Sequence, residues 1–126
     1  MSQKKKEFYF ATDNCPVRDV LDRIGDKWSM LVLLVLEDAG VMRFNELHGA
    51  IENISQKMLT VTLKSLEADG LIKRTVYAQI PPKVEYALTV RGESLMPHLH
   101  SLVGWAKKNL TKIVVAREQF AKENAA

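Results

Sequence analysis

Five residues between Ser55 and Glu67 fall at helical spacing and share a capacity for surface recognition: Gln56, Lys57, Thr60, Val61 and Lys64. The Gln56 amide can both donate to and accept from an adenine edge, and the two lysines can reach guanine or phosphate. The Thr60 hydroxyl can hydrogen-bond, and Val61 can lie against a thymine methyl group. Arg43, Arg74 and Lys83 stand in the neighbouring segments, where long cationic side chains suit contacts to a phosphate backbone. This chemistry fits the grooves of duplex DNA, provided that the chain folds so as to turn one helix outward.

The elements that would do this can be read in order. From Cys15 to Leu36 the apolar residues recur at helical spacing, first Val17, Val20, Leu21 and Ile24, then a denser run from Trp28 to Leu36. Pro16 suits a first helical position and Gly25-Asp26 separates the runs, which predicts two helices, the second nearly all apolar and buried. After Asp38-Ala39-Gly40 comes a short extended piece, Met42-Arg43-Phe44, and Asn45 is placed to cap a brief helix over Glu46 to Ile51. Asn53 can take the left-handed conformation of a tight junction between helices. Ser55 is a suitable N-cap for the next helix, with Met58, Leu59, Leu63 and Leu66 inward and Gln56, Lys57, Thr60, Lys64 and Glu67 outward.

Asp69-Gly70 ends that helix, and Leu71 to Tyr77 and Lys83 to Leu88 read as two strands joined by a tip that contains Pro81 and Pro82. Thr89 then caps a long helix, expected to break or bend at Gly92 and Pro97, and apolar periodicity continues through Leu110, Ile113, Val114 and Phe120. The predicted fold class is mainly α with a small β-hairpin wing (α+β): a winged helix-turn-helix with extra N- and C-terminal helices. Leu95, Leu99, Leu102, Val103, Trp105 and Leu110 exceed what so small a domain buries on itself, so the terminal helices are expected to form a homodimer interface.

Composition narrows the classes. At 126 residues the chain suffices for one compact domain with a core, and its net charge of +3 permits a nucleic-acid partner without requiring one. The run Lys4, Lys5, Lys6 reads either as a DNA-binding arm or as a solvated tail. No stretch is long and apolar enough to span a membrane, and the expectation is a soluble, cytoplasmic protein without a membrane partner. The glycines stand singly rather than in a phosphate-cradling cluster, and His48, His98 and His100 have no further ligand or nucleophile at a telling spacing. Neither enzyme activity nor a cofactor or metal is expected.

The lone cysteine, Cys15, rules out an internal disulfide framework and a Cys-rich zinc site. It precedes Pro16 at a predicted helix start, where the helix dipole and nearby Arg18 favour a thiolate. Two readings stay open: a redox or electrophile sensor, or a small buried residue that packs the first helix. As a sensor it could form an adduct, a sulfenic acid or a bridge between two chains.

A series of blocks in order carries a family resemblance: Cys15-Pro16-Val17, Asp26-Lys27-Trp28, Arg43-Phe44-Asn45-Glu46-Leu47, Ile54-Ser55-Gln56-Lys57-Met58-Leu59-Thr60, Leu66-Glu67-Ala68-Asp69-Gly70-Leu71-Ile72, Pro82-Lys83-Val84-Glu85-Tyr86-Ala87-Leu88-Thr89, and Gly92. The chain resembles the HxlR-type branch of the MarR-like winged-helix regulators over roughly residues 15–107. It departs from the pattern at Asn53, where glycine is often found. The resemblance implies a transcription regulator, expected to be a repressor, that binds a palindromic double-stranded DNA operator as a homodimer through the Ser55 helix and the wing. It also implies that a cysteine at the Cys-Pro position serves some members in sensing reactive electrophiles or oxidants. The expected organisation is a flexible basic arm over residues 1–14, the winged helix-turn-helix over 15–107 and a dimerisation helix over 108–126. Two rivals remain: a winged helix that contacts only proteins, and a regulator whose small apolar effector sits among Trp28, Phe44, Tyr86 and Trp105.

Overall fold

The computed structural model describes Thr12 and residues 15–125, so the expected arm lies, apart from Thr12, outside the described residues. The elements follow the order α1 (Pro16–Ile24), α2 (Lys27–Ala39), β1 (Val41–Met42), α3 (Phe44–Ala50), α4 (Gln56–Ala68), β2 (Ile72–Tyr77), β3 (Lys83–Leu88) and α5 (Val90–Glu123). The strands form one antiparallel sheet in the order β1-β3-β2. Val41 pairs with Ala87, and the β2–β3 hairpin runs from Ile72 opposite Leu88 to Tyr77 opposite Lys83. The chain is mainly helical with a small hairpin-bearing sheet, the class that its periodicity predicts.

Local chemistry sets most of the boundaries. Pro16 is the first residue of α1, and the Cys15 sulfur accepts a hydrogen bond from the Arg18 N–H at 3.2 Å. Asp26 caps α2 by accepting from the Ser29 N–H at 3.2 Å. The cap of α3 differs from expectation. Asn45 lies inside the helix, and the Glu46 carboxylate reaches back to accept from the Arg43 N–H at 2.8 Å. A carboxylate three residues in, serving the first free donor, replaces an asparagine cap that would come two residues too late.

The core of residues 1–93, the first of two compact units, joins Val32, Leu33 and Leu36 of α2, Leu47 of α3, Leu59, Leu63 and Leu66 of α4, and Ile72 of β2, all nearly inaccessible to water. Helix α2 is not buried all round: Leu31 is exposed, and Met30, Leu34 and Val35 are half-buried. Its inward stripe is Ser29, Val32, Leu33 and Leu36, the i, i+3, i+4, i+7 pattern of a helix packed on one side. Arg23 Nε lies 2.6 Å from Asp69 Oδ2 and so ties the end of α1 to the end of α4. The hydrogen bond to Asp69, and secondarily its charge, raise the Arg23 pKa, so this guanidinium stays charged throughout the accessible pH range.

The second unit begins at Ser94 and holds the remainder of α5, as far as Glu123. Of the break or bend expected at Gly92 and Pro97, the break does not occur: α5 runs through both residues as one helix of 34 residues. It therefore includes both sides of the boundary expected at residue 107. Met96 and Leu99 are buried, whereas Leu102, Trp105, Leu110, Val114, Val115 and Phe120 are exposed.

Candidate nucleic-acid interface

Helix α4 is set by its approach. Asn53, at φ 72°, makes the left-handed turn out of α3, a conformation that asparagine tolerates. The Ser55 hydroxyl then accepts from the Met58 N–H at 3.0 Å and so starts the helix, with its own O–H still able to donate. The buried face is Leu59, Thr62, Leu63 and Leu66. Here Thr62 replaces Met58 in the expected inward stripe: Met58 lies one residue before the i, i+3, i+4, i+7 series and is 39% exposed.

The opposite face carries Gln56, Lys57, Thr60, Val61, Lys64 and Glu67, all exposed. The Thr60 hydroxyl donates to the Gln56 carbonyl at 2.9 Å. Its proton is thereby used within the helix, which leaves Thr60 able to accept from a partner's N–H.

The hairpin brings Arg74 to this face. Arg74 lies opposite Tyr86 in the β2–β3 register. Together with Phe44, Thr60, Leu63, Lys64 and Glu67, these two residues line a hollow of about 420 Å³. Thus Thr60, Lys64 and Arg74, separate in sequence, converge on one concavity. Glu67, Phe44 and Tyr86 belong to it as well. Glu67 sits on the outward face three residues after Lys64, a signal visible in the sequence, whereas the place of Tyr86 depends on strand register.

The other expected residues lie apart from that hollow. Lys57 and Gln56 are exposed in the first turn of α4, and Arg43 is exposed just before α3. Lys83 Nζ is 3.3 Å from Glu85 Oε2 and 4.9 Å from the Tyr77 ring centroid, so its charge is partly compensated at the base of the hairpin tip. Cys15 is only 3% exposed and borders a recess of about 110 Å³ with Arg18, Asp19 and Asp22. Of the four aromatics proposed for an effector site, Phe44 and Tyr86 share the hollow, while Trp105 is 58% exposed on α5.

Among the described residues no three histidine, cysteine or acidic side chains gather as a metal site, and no helix is long and apolar enough to cross a membrane.

Comparison with known proteins gives the family and the fold. Residues 23–114 match the family described as HxlR-like helix-turn-helix. The HTH-type transcriptional regulator YtfH of Escherichia coli K12 is 36% identical over 121 residues, covering 96% of this chain and 95% of its own length. The solved structure of the transcriptional regulator YtfH from Salmonella typhimurium is 37% identical, with a TM-score of 0.77 over 85% of this chain and 95% of that one. The redox regulator HypR in its reduced form is 42% identical, with a TM-score of 0.73 over 79% of this chain and 98% of its own. The chain belongs to the HxlR-like helix-turn-helix family of winged-helix transcriptional regulators.

Proposed function

We propose that the protein is a homodimeric repressor that binds a palindromic DNA operator, with α4 in the major groove and the β2–β3 hairpin on the adjoining backbone. The observation that carries this reading is the outward face of α4, where Gln56, Lys57, Thr60, Val61 and Lys64 are exposed and Arg74 is gathered beside them. A helix of this width fits the major groove, and these side chains match the donors, acceptors and methyl groups found there.

The dimer is supported by the apolar surface left open within one chain. Val17, Val20 and Leu21 of α1 and Leu102, Trp105, Leu110, Val114 and Phe120 of α5 are exposed. A second copy would cover such faces and hold two α4 helices roughly 34 Å apart, one turn of DNA. In this reading residues 15–107 form the DNA-reading domain and the part of α5 beyond them serves dimerisation, with DNA contacts by Arg43, Ser55, Gln56, Lys57, Thr60, Val61, Lys64, Arg74 and Lys83.

Fluorescence anisotropy on an operator recovered from genomic fragments tests the assignment. Gln56→Ala and Thr60→Ala each weaken operator binding by about 5- to 150-fold, the equivalent of a lost base contact of about 1–3 kcal/mol, and barely change binding to random duplex. Equal losses on both duplexes would show that α4 does not read bases.

A second reading concerns Cys15. HypR, similar in sequence and fold, is described as a redox regulator and has been solved in reduced and oxidised forms. Cys15 here sits at the start of α1 with its sulfur accepting the Arg18 N–H, and α1 presents apolar residues suited to a partner chain. In the proposed switch, two Cys15 thiols form one intersubunit disulfide while an oxidant such as diamide takes up the two hydrogens. The bridge requires Cα atoms within about 7 Å across the dimer. Diamide is expected to lower operator affinity of the wild type and to yield a linked dimer on a non-reducing gel, with Cys15→Ser showing neither. The same loss of affinity in Cys15→Ser would remove Cys15 from the switch.

A further inference from the structure

The geometry points to a shared phosphate clamp: Lys64 from α4 and Arg74 from β2 hold one and the same backbone phosphate of the duplex in the hollow between helix and hairpin. This rests on the DNA-binding reading above and assigns Lys64 to the backbone rather than to a guanine.

Lys64 and Arg74 line a single hollow, and among the described residues neither takes part in an ion pair. Two like charges facing one space repel each other, and an anion placed between them relieves that repulsion. Both groups are hydrogen-bond donors only, an ammonium acting as a point charge and a guanidinium as a planar fork. The matching ligand has several acceptor oxygens and a full negative charge, which describes a phosphate better than the edge of a neutral base. The walls supplied by Phe44, Leu63 and Tyr86 are apolar or aromatic, and low-dielectric walls concentrate the field of the cations inside the hollow.

Glu67 lines the same hollow and likewise makes no ion pair among the described residues. Its carboxylate opposes the incoming anion and so moderates the clamp. The clamp thus contains its own brake, and Glu67→Gln is expected to tighten binding to every duplex.

The test uses full-length protein, the operator, and a set of operators in which single phosphates are replaced by neutral methylphosphonates. Lys64→Gln and Arg74→Gln are each expected to weaken binding about tenfold on operator and random duplex alike, and the double variant by clearly less than the hundredfold product. One linkage per half-site, the same for both variants, should erase the loss caused by each substitution when it is neutralised. Different linkages answering to Lys64 and Arg74, or a Lys64→Gln loss confined to duplexes with guanine at one position, would overturn the clamp.

A further arm distinguishes duplex phosphate from free phosphate. Direct titration with inorganic phosphate at constant ionic strength is expected to give at most weak binding. Tight binding that disappears in the double variant, with no linkage responding, would assign the hollow to a free anion instead. Failure of the wild type to bind any DNA would sink the proposed function itself, a result separable from any of these.

Discussion

Gly92→Ala lowers the melting temperature by about 12–20 °C, the largest effect expected of any single methyl group in this chain. A Cβ at this position would stand 2.1 Å from the Leu71 carbonyl oxygen and 3.1 Å from its carbonyl carbon. Both are backbone atoms, so no rotamer change relieves the overlap.

The surroundings hold that carbonyl in place. The Leu71 oxygen accepts from the Thr89 N–H at 3.0 Å, and the Leu71 N–H donates to Leu66 at 3.0 Å. The Thr89 hydroxyl donates to the Gly70 carbonyl at 2.6 Å and accepts from the Gly92 N–H at 3.0 Å. The entry to β2 and the first turn of α5 are therefore pinned to each other, and separating them breaks several of these bonds together. The expected loss is about 3–5 kcal/mol, comparable to truncating a large core side chain. Gly49→Ala provides the control: it lies in α3 with nothing within 4 Å of its added Cβ, and alanine there is expected to be neutral or to stabilise by up to about 1 kcal/mol. Circular dichroism melts at one protein concentration check both, and a Gly92→Ala protein melting within about 3 °C of wild type would show that the junction relaxes.

The reason for that glycine marks the limit of what the sequence conveys. Local signals were legible because they act over three or four residues: Pro16 opening α1, Ser55 starting α4, Thr89 capping α5 and Asn53 turning with positive φ. The outward face of α4 was legible for the same reason, since the period of a helix fixes which side chains share a side. Gly92 was visible as a helix-breaking residue, but its close approach to Leu71 joins residues 21 positions apart through tertiary packing. The convergence of Arg74 with Lys64 likewise depends on the register that places Arg74 opposite Tyr86, and a slip of one residue would send Arg74 to the other face of the sheet. Thr62 against Met58 was a finer matter, decided by how far α4 rotates about its own axis as it packs.

Such long-range placement also decides which cations remain available to DNA, and this leads to the strongest expected dependence on conditions. Raising salt from 50 to 200 mM is expected to weaken DNA binding by about a thousandfold, given about six phosphate contacts per dimer and a slope of about −0.9 per contact. Arg43, Lys57 and the Lys64–Arg74 hollow supply about three such contacts per protomer, all from exposed cations without ion-pair partners among the described residues. Lys83 is different. Its ammonium is already paired with Glu85 at 3.3 Å and stacked over Tyr77, so bringing it to a phosphate gives up one charge partner to gain another. Arg43→Ala should therefore flatten the slope by about 1.8 per dimer, while Lys83→Ala leaves it nearly unchanged. The net charge of the chain is only +3, which makes the distribution of these cations, rather than their total, the source of the effect. Binding that holds constant across this range of salt would mean that the exposed face of α4 meets a protein surface instead of a nucleic acid.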